Sequence, residues 1–330
     1  MVRHLNSRRR LISAAGLAAA IPGRAIAQQP GRTYRLGWLS VNTSRAEQYN
    51  EAFVERLRER GFAEGRNLVI EFRSAQGEVG RLPATAAELV KLNCDVLFVP
   101  GAEATLIAAK QASRDTPIVF SANDYDPVAT GHIASLAKPG GRITGVTQLQ
   151  TQLTAKRLEV LSELLPKARR IAVFGDSATV GQLAQVKEAS ARLKVTLDVI
   201  QFKPGPYDYE AAFAAVVGRK ADALMMLSSG FFAGARARIC NLALNHRLPG
   251  MYNNYLWVEA GGLISYGSNF SDTYRRVADK VALVLKGANP ADIPVEQPTT
   301  VEMVVNLATA RALGVTIPAS IAARADRAIQ

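Results

Sequence analysis

The sequence is poor in the residues that build disulfide or metal sites. Its 330 residues contain two cysteines and three histidines. Neither cysteine lies in a CxxC pair or a Cys/His cluster, so a disulfide scaffold is excluded and no metal site is predicted. We interpret Cys94 and Cys240 as small buried hydrophobic residues. We expect no metal and no cofactor.

Short catalytic motifs are also lacking. The chain contains no GxSxG, no HExxH, no P-loop and no GxGxxG after a strand. His4 lies in the basic N-terminal segment, and His132 and His246 fall on predicted helices, where structural roles are favoured. No catalytic residue is predicted, and the sequence indicates a protein that is not an enzyme.

The N-terminal segment has the pattern of an export signal. Residues 1–27 carry five arginines and no acid, and they pass through a small-apolar run to Ala25-Ile26-Ala27. A basic region, a short apolar region and an A-x-A site together predict a secretory signal peptide. The paired arginines between Ser7 and Leu11 resemble a twin-arginine signal, and an arginine-rich Sec signal is the alternative.

Charge and hydropathy after this segment fit a soluble exported protein. The whole chain has a formal charge of +12, and loss of the five arginines lowers it to +7. No later stretch reaches 18 consecutive apolar residues, so no transmembrane helix is predicted. We expect a periplasmic protein, and we expect no nucleic-acid partner, because the remaining charge fits a solvated surface.

Short apolar strands alternate with amphipathic helices along the mature chain. The runs YRLGWLSV, DVLFVP, PIVFS, RIAVF, ALMML and LISYG read as strands. Fully apolar strands that alternate with helices predict parallel sheets covered on both faces. The predicted fold is α/β, with two doubly wound lobes joined by a hinge. Residues 28–147 form lobe 1 and residues 148–267 form lobe 2, and we expect the tail, about 268–330, to cross back over lobe 1.

Polar residues follow many of the predicted strands. In open α/β sheets, ligands bind at the carboxyl ends of the strands. Two such edges that face each other form a cleft, and a helix that starts after Gly101 favours an anionic group. The candidate ligand-binding residues are Ser40, Gly101, Ala102, Glu103, Ser121, Asn123, Asp124, Asp126, Ser228, Ser229, Tyr252 and Tyr266. The candidate aromatic walls are Tyr125, Phe231, Tyr252, Trp257 and Tyr266.

Several segments resemble one known family. They include RLPATAAELVKLNCDVLFVPG, DPVATGHIASLAKPGGRITGVT, LTAKRLEVLSELLP, VEAGGLISYG and PADIPVEQPTTVEMVVNLATARALGVTIPASIAARAD. The resemblance is to ABC-transporter substrate-binding proteins, in the type I periplasmic-binding branch that includes tryptophan- and tyrosine-binding members. It covers nearly the whole mature chain. It implies a Venus-flytrap fold that closes on a solute and delivers it to a membrane permease.

The resemblance carries over to individual positions. Asp126 begins the Asp-Pro-Val loop, Tyr252 matches the aromatic residue after a Leu-Pro pair, and Tyr266 lies in the hinge-side strand. Glu103 and its neighbours depart from the family's Gly-Thr-Pro-Ala. The acidic residues Glu103 and Asp124 would suit a cation or an amine, so the resemblance leaves a ligand other than an aromatic amino acid open.

The resemblance implies a mechanism in which the solute first binds lobe 1, near Gly101, Ser121, Asn123 and Asp126. Lobe 2 then closes with Ser228, Ser229 and Tyr252, through hinge segments near residues 147 and 267. A monomer is expected, because a flytrap must dock on a permease. Two alternatives stay open: a ligand-binding subunit of a sensor system, and a periplasmic hydrolase or isomerase with Asp124 or Asp126 as base.

Overall fold

The computed structural model describes residues 31–41, 45, 48–123, 125–148, 150–203, 206–298 and 300–330. The predicted signal peptide and Asp124 lie outside these residues. The described chain folds into two lobes, each built on a twisted sheet with helices on both faces. The prediction of two α/β lobes is therefore confirmed.

The first lobe contains a five-stranded parallel sheet in the order β2-β1-β3-β4-β5. Its strands are β1 (Tyr34–Ser40), β2 (Leu68–Ser74), β3 (Val96–Gly101), β4 (Ile118–Ala122) and β5 (Ile143–Thr147). Helices α1 (Gln48–Glu59) and α9 (Phe270–Leu285) cover one face, and α2 (Leu82–Lys91) and α3 (Glu103–Ala112) cover the other. Successive side chains of β3 enter opposite cores, which is why its apolar run is nearly continuous.

The second lobe contains a seven-stranded sheet in the order β12-β11-β10-β9-β8-β6-β7. Its strands are β6 (Arg170–Gly175), β7 (Thr196–Gln201), β8 (Ala223–Met226), β9 (Gly250–Tyr252), β10 (Ile264–Ser268), β11 (Val301–Asn306) and β12 (Arg327–Ile329). Its helices are α4 (Gln150–Leu164), α5 (Val180–Leu193), α6 (Tyr209–Gly218), α7 (Arg236–Asn245), α8 (Tyr255–Glu259), α10 (Leu307–Leu313) and α11 (Ala319–Ala322).

The C-terminal tail divides between the lobes, so the expectation that all of it covers lobe 1 is wrong. Helix α9 does pack on lobe 1, where Tyr274 and Val277 enter its core. Strand β11 instead pairs antiparallel with β10, with Val305 opposite Ile264, and β12 pairs with β11. The apolar side chains of β11 complete the second core and cover the edge of β10, which satisfies that edge's backbone groups.

The prediction that His132 falls on a helix, one expected over residues 128–136, is also wrong. Asp126 folds this segment into a turn, because its side chain accepts hydrogen bonds from the N–H groups of Val128 and Ala129. Gly131 then adopts a φ of 71°, in the left-handed region that ends a helical turn. The chain continues in turns and bends up to β5.

The lobes are joined by three crossings of the chain: between β5 and α4, between β10 and α9, and before β11. At the second crossing, a Cβ on Gly267 would lie 1.9 Å from the backbone oxygen of Asn253. A side chain at this position would therefore push the crossing away from β9. The first two crossings lie near residues 147 and 267, where hinge segments are predicted, and the crossing before β11 was not predicted.

Candidate functional site

A cavity lies between the two lobes, and both lobes line it. Its volume is about 70 Å³. Aromatic side chains form much of its lining: Trp38, Tyr49, Phe72, Phe270 and Tyr274 from lobe 1, and Phe231 and Trp257 from lobe 2. A small cavity with aromatic walls and a few polar groups is typical of a site for a small organic solute.

The aromatic wall of lobe 1 is held by ring-to-ring packing. Trp38 on β1 packs against Phe53 and Phe98, with centroid distances of 5.1 and 4.8 Å. Tyr274 on α9 packs edge-on against Tyr49 on α1 at 4.6 Å. Such pairs restrict the rotamers of their members, so this wall is pre-formed for a flat apolar group.

Backbone and amide groups form the polar part of lobe 1. Gly101 adopts a φ of 98°, which turns the chain from β3 into α3, and Ala102 precedes the helix without a side-chain cap. The N–H groups of the first turn of α3 thus have no capping side chain, and such groups favour an anion. Asn123, after β4, lies in the lining beside them.

Lobe 2 contributes two serines that are fixed by buried partners. The backbone N–H and C=O of Ser228 both bond to the side chain of Gln182, at 2.8 Å each. The hydroxyl of Ser229 donates to Asp176, with Oγ 2.5 Å from Oδ2. Asp176 is fully buried. Burial raises the pKa of its carboxyl, although hydrogen bonds from Ser229, the Ala178 N–H and Tyr207 oppose this effect.

The described lining residues include few charged side chains. Among the described lining residues, Arg236 at the start of α7 is the single charged side chain, and none is a carboxylate. Nine others carry amides or hydroxyls without charge: Ser40, Tyr49, Asn50, Asn123, Ser228, Ser229, Asn253, Asn254 and Tyr274. A guanidinium among neutral donors and acceptors suits a ligand that carries a carboxylate.

Six of the residues predicted for ligand binding line the cavity: Ser40, Gly101, Ala102, Asn123, Ser228 and Ser229. Among the predicted aromatic walls, Phe231 and Trp257 also line it. These residues share a position just after a strand, or near the start of the next helix. The rule that ligands bind at the carboxyl ends of strands therefore finds the loops that face the cavity.

Five other candidates lie elsewhere in this structure. The Oε1 atom of Glu103 lies 2.8 Å from Nε2 of His132, and Asp126 caps its own turn. Ser121 and Tyr252 are fully buried, with the ring of Tyr252 stacked on Trp257 at 5.1 Å. Tyr266 packs against the core of lobe 2.

Two physical causes explain these positions. Strands that are covered on both faces turn their side chains into a core, and the two acidic side chains bond to groups close to them. Tyr125, a predicted wall residue, packs between the rings of Phe120 and His132. Asp124 falls outside the described residues.

The sequence pattern missed the lining residues that helices supply. Asn50 and Tyr49 come from α1, Phe270 and Tyr274 from α9, and Arg236 from α7. These residues have helical spacing and read as ordinary core or surface positions. One signal was available, because Asn50 is a polar residue in the first turn of α1. Its Oδ1 is buried without a hydrogen-bond partner among the described residues.

The described residues contain neither a cluster of metal ligands nor a membrane-spanning helix. No group of three or more His, Cys, Asp or Glu side chains there can hold a metal ion. No helix there is long and apolar enough to cross a membrane.

A family model for ABC transporter substrate binding proteins matches residues 41–329. The chain belongs to this family. A curated relative, the tyrosine-binding protein of Clostridioides difficile strain R20291, is 26% identical over 268 residues. That match covers 80% of this chain and 75% of the relative.

Solved structures of similar fold include other substrate-binding proteins. A conserved domain protein from Vibrio cholerae matches with a TM-score of 0.81 and 25% identity, over 90% of this chain and all of that one. An ABC domain from Streptococcus pneumonia in complex with L-Trp matches with a TM-score of 0.79 and 24% identity, with the same coverage. A leucine binding protein from Thermotoga maritima matches with a TM-score of 0.55 and 14% identity, over 82% of this substrate-binding protein and 95% of that chain.

Proposed function

We propose that this protein is the solute-binding component of an ABC importer, and that it binds a small solute with an aromatic group and a carboxylate. The observation that carries the proposal is the lining of the cavity, where Trp38, Tyr49 and Tyr274 of lobe 1 share one space with Arg236 of lobe 2. An aromatic amino acid has both features. The names of the tyrosine-binding relative and of the L-Trp complex support this class.

The polar groups can serve both ends of an amino acid. Arg236 and the N–H groups at the start of α3 can hold the carboxylate. Serine and amide oxygens, together with aromatic faces, can hold the ammonium group. The solute needs only a few kcal/mol of preference for the closed state to shift the population, because each lobe keeps its own core in both states.

The finer parts of the proposal concern partners and location. The export signal predicted in residues 1–27 supports a periplasmic protein, which would act as a monomer and deliver its solute to a permease in the inner membrane. Family membership supports the permease partnership. A sensor role on the same fold would leave the binding chemistry unchanged and replace the permease with a receptor.

Thermal unfolding of residues 28–330 against a metabolite panel tests the binding class. The panel holds amino acids, aromatic acids, amines, nucleobases and short peptides. A ligand at 100 times its Kd adds about 2.7 kcal/mol to the free energy of unfolding, which shifts Tm by several degrees. We expect shifts from aromatic carboxylates and none from amines. Shifts from nucleobases or amines alone would contradict the proposal.

Two further readouts separate the alternatives. A binding protein returns the bound ligand unchanged, so a turnover product would indicate an enzyme. Deletion of the permease genes should abolish uptake of the identified ligand if the protein serves transport. Unchanged uptake would favour the sensor role.

A further inference from the structure

A row of buried amides connects the cavity to the crossings between the lobes. Nε2 of Gln148 donates to Oδ1 of Asn123 at 2.9 Å, and Nε2 of Gln150 donates to Oε1 of Gln148 at 3.0 Å. Arg157 on α4 donates from Nη2 to Oε1 of Gln150. Gln148 is 6% exposed, and Gln150 and Arg157 are fully buried. We name Arg157, Gln150, Gln148 and Asn123 the amide relay.

Arg157 is anchored independently of the amides. Its Nε donates to the backbone oxygen of Tyr266 at 2.8 Å, on β10 beside the second crossing. Its Nη1 lies 3.4 Å from the backbone oxygen of Gln150 and from Oγ1 of Thr154. Burial lowers the pKa of Arg157 to about 9, which still leaves it protonated at neutral pH. Each nitrogen of the guanidinium therefore donates to at least one acceptor.

A row of amides alone has no fixed direction. Each amide carries an oxygen that accepts and a nitrogen that donates, so reversal of all three would keep the bonds between them. Arginine is different because its guanidinium only donates. A reversed Gln150 would bring its NH₂ group against Nη2 of Arg157, donor against donor. Arg157 thus fixes Gln150, which fixes Gln148, which fixes Asn123.

The last member of the relay faces the cavity. Oδ1 of Asn123 is used by Gln148, so Nδ2 is the group that remains, and it has no partner among the described residues. We propose that Arg157 acts as a positioning residue for ligand selection. Through Gln150 and Gln148 it holds Asn123 with its N–H donors toward the cavity. Asn123 therefore selects a ligand oxygen that only accepts hydrogen bonds, such as a carboxylate oxygen. The inference rests on the proposed function and adds that the Asn123 side chain is the group of lobe 1 that discriminates between ligands.

The variant Gln150→Glu reverses the relay without adding charge to the cavity lining. Its carboxylate accepts from Arg157 on one side and forces Gln148 to donate on the other. Gln148 then turns its oxygen to Asn123, which must present Oδ1 to the cavity. The hydrogen-bond count is kept and Arg157 gains a counter-charge, so we expect no loss of Tm. Gln152→Glu, on the exposed face of the same helix, is the matched control.

The ratio of the affinities for an acid ligand and for its carboxamide reports whether Nδ2 or Oδ1 of Asn123 faces the cavity. The probes are L-tyrosine and L-tryptophan, each paired with its carboxamide, titrated by calorimetry. We expect Gln150→Glu to weaken binding of the acids by about tenfold or more, because a charge-assisted hydrogen bond is lost. The preference for acid over amide should fall in the same variant and stay constant in Gln152→Glu. An unchanged preference in Gln150→Glu would overturn the relay.

A measurement without ligand keeps the inference separate from the proposed function. Neutron diffraction from deuterated crystals distinguishes the nitrogen and oxygen of each amide. We expect Nδ2 of Asn123 toward the cavity in the wild-type protein, and Oδ1 in Gln150→Glu. The opposite orientation in the wild type overturns the relay whether or not any probe binds. Absence of binding to every probe in the wild type would instead count against the proposed ligand class.

If Gln150→Glu fails to fold, Gln148→Glu gives the same reversal one step closer to the cavity. Its carboxylate accepts from Gln150 on one side and from Nδ2 of Asn123 on the other. The same loss of preference for acids is expected, and a preference equal to that of the wild type would overturn the relay.

Discussion

Ser229 Oγ lies 2.5 Å from Oδ2 of Asp176, so a serine in the cavity lining donates its hydrogen bond to a buried carboxyl group. The Ser229 oxygen also accepts from the Phe231 N–H at 3.3 Å. The oxygen keeps one further acceptor lone pair, and Ser229 lines the cavity. We therefore expect lobe 2 to offer a ligand an acceptor at Ser229, as lobe 1 offers a donor at Asn123 in the proposed relay.

Replacement of Ser229 by alanine tests the acceptor. We expect Ser229→Ala to weaken ligand binding by about three- to tenfold, the usual effect of one neutral hydrogen bond. Tm should also fall, because the side-chain carboxyl of Asp176 loses its shortest hydrogen bond. Calorimetric titration and thermal unfolding measure the two effects. Ser177→Ala, exposed and next to Asp176, is the control and should match the wild type. An unchanged affinity in Ser229→Ala would show that Ser229 does not contact the ligand.

The raised pKa of Asp176 predicts a specific pH dependence of stability. Between the ordinary value of 3.8 and the raised folded-state value, the folded protein holds a proton that the unfolded chain has released. The contribution of Asp176 is therefore complete below the ordinary value and is lost as pH rises through the folded-state value. Glu302, whose pKa burial also raises, acts in the same direction.

The variant Asp176→Asn isolates this contribution. Urea unfolding of both proteins from pH 4 to pH 7 should show the free energy of unfolding of the wild type falling relative to the variant as pH rises. Because Glu302 titrates in both proteins, its effect cancels in the difference. Parallel curves for the two proteins would show that the carboxyl of Asp176 titrates alike in the folded and unfolded chains.

Replacement of Phe231 by alanine tests whether the aromatic wall of lobe 2 contacts the ligand. It lines the cavity and is half-buried, so truncation to alanine removes ligand contact and disturbs the core little. We expect Phe231→Ala to weaken binding of an aromatic ligand at least about fivefold. Tyr125→Ala removes a half-buried ring that lies outside the lining, and its affinity should match the wild type. Equal losses in both variants would indicate a general effect on folding.

Replacement of Asp126 by alanine distinguishes a side chain that caps its own loop from one that contacts the ligand. In the structure it accepts from two N–H groups of its own turn, at 2.9 and 3.2 Å, and it does not line the cavity. Asp126→Ala should lower the free energy of unfolding by about 1 kcal/mol, the usual value of such a cap. Ligand affinity should change by less than about twofold. A tenfold loss of affinity would show that Asp126 contacts the ligand.

Apolar strands are the part of the fold that could be predicted from sequence. PIVFS and DVLFVP form β4 and β3 close to the expected bounds, because a strand buried on both faces leaves a continuous apolar run. The tail was harder to predict, because VEMVVN could complete either sheet. Only its pairing with Ile264 and its neighbours decides between them, and that choice depends on which sheet edge remains uncovered.

The lining of the cavity also contains residues that the sequence predicts and residues that it does not. Asn123 and Ser229 follow strands, so the rule for strand ends finds them. Tyr274 reaches the same space from α9, which follows a crossing between the lobes, and Arg236 reaches it from α7 within lobe 2. Tyr252 shows the opposite error, because a strand-end aromatic turned into the core and stacked on Trp257. Side-chain direction at a strand end is a property of local twist, which residue types alone do not determine.

The most direct test of the account is a calorimetric titration of wild type and Arg236→Gln with L-tyrosine, L-tryptophan and the corresponding amines, tyramine and tryptamine. Arg238→Gln, two residues along α7 and paired with Glu210 at the surface, is the matched control. The account predicts that the wild type and Arg238→Gln bind at least one amino acid and neither amine, and that Arg236→Gln loses about tenfold or more in affinity for that amino acid. Binding of an amine as tightly as its amino acid, or full affinity in Arg236→Gln, would contradict a site built around an aromatic carboxylate.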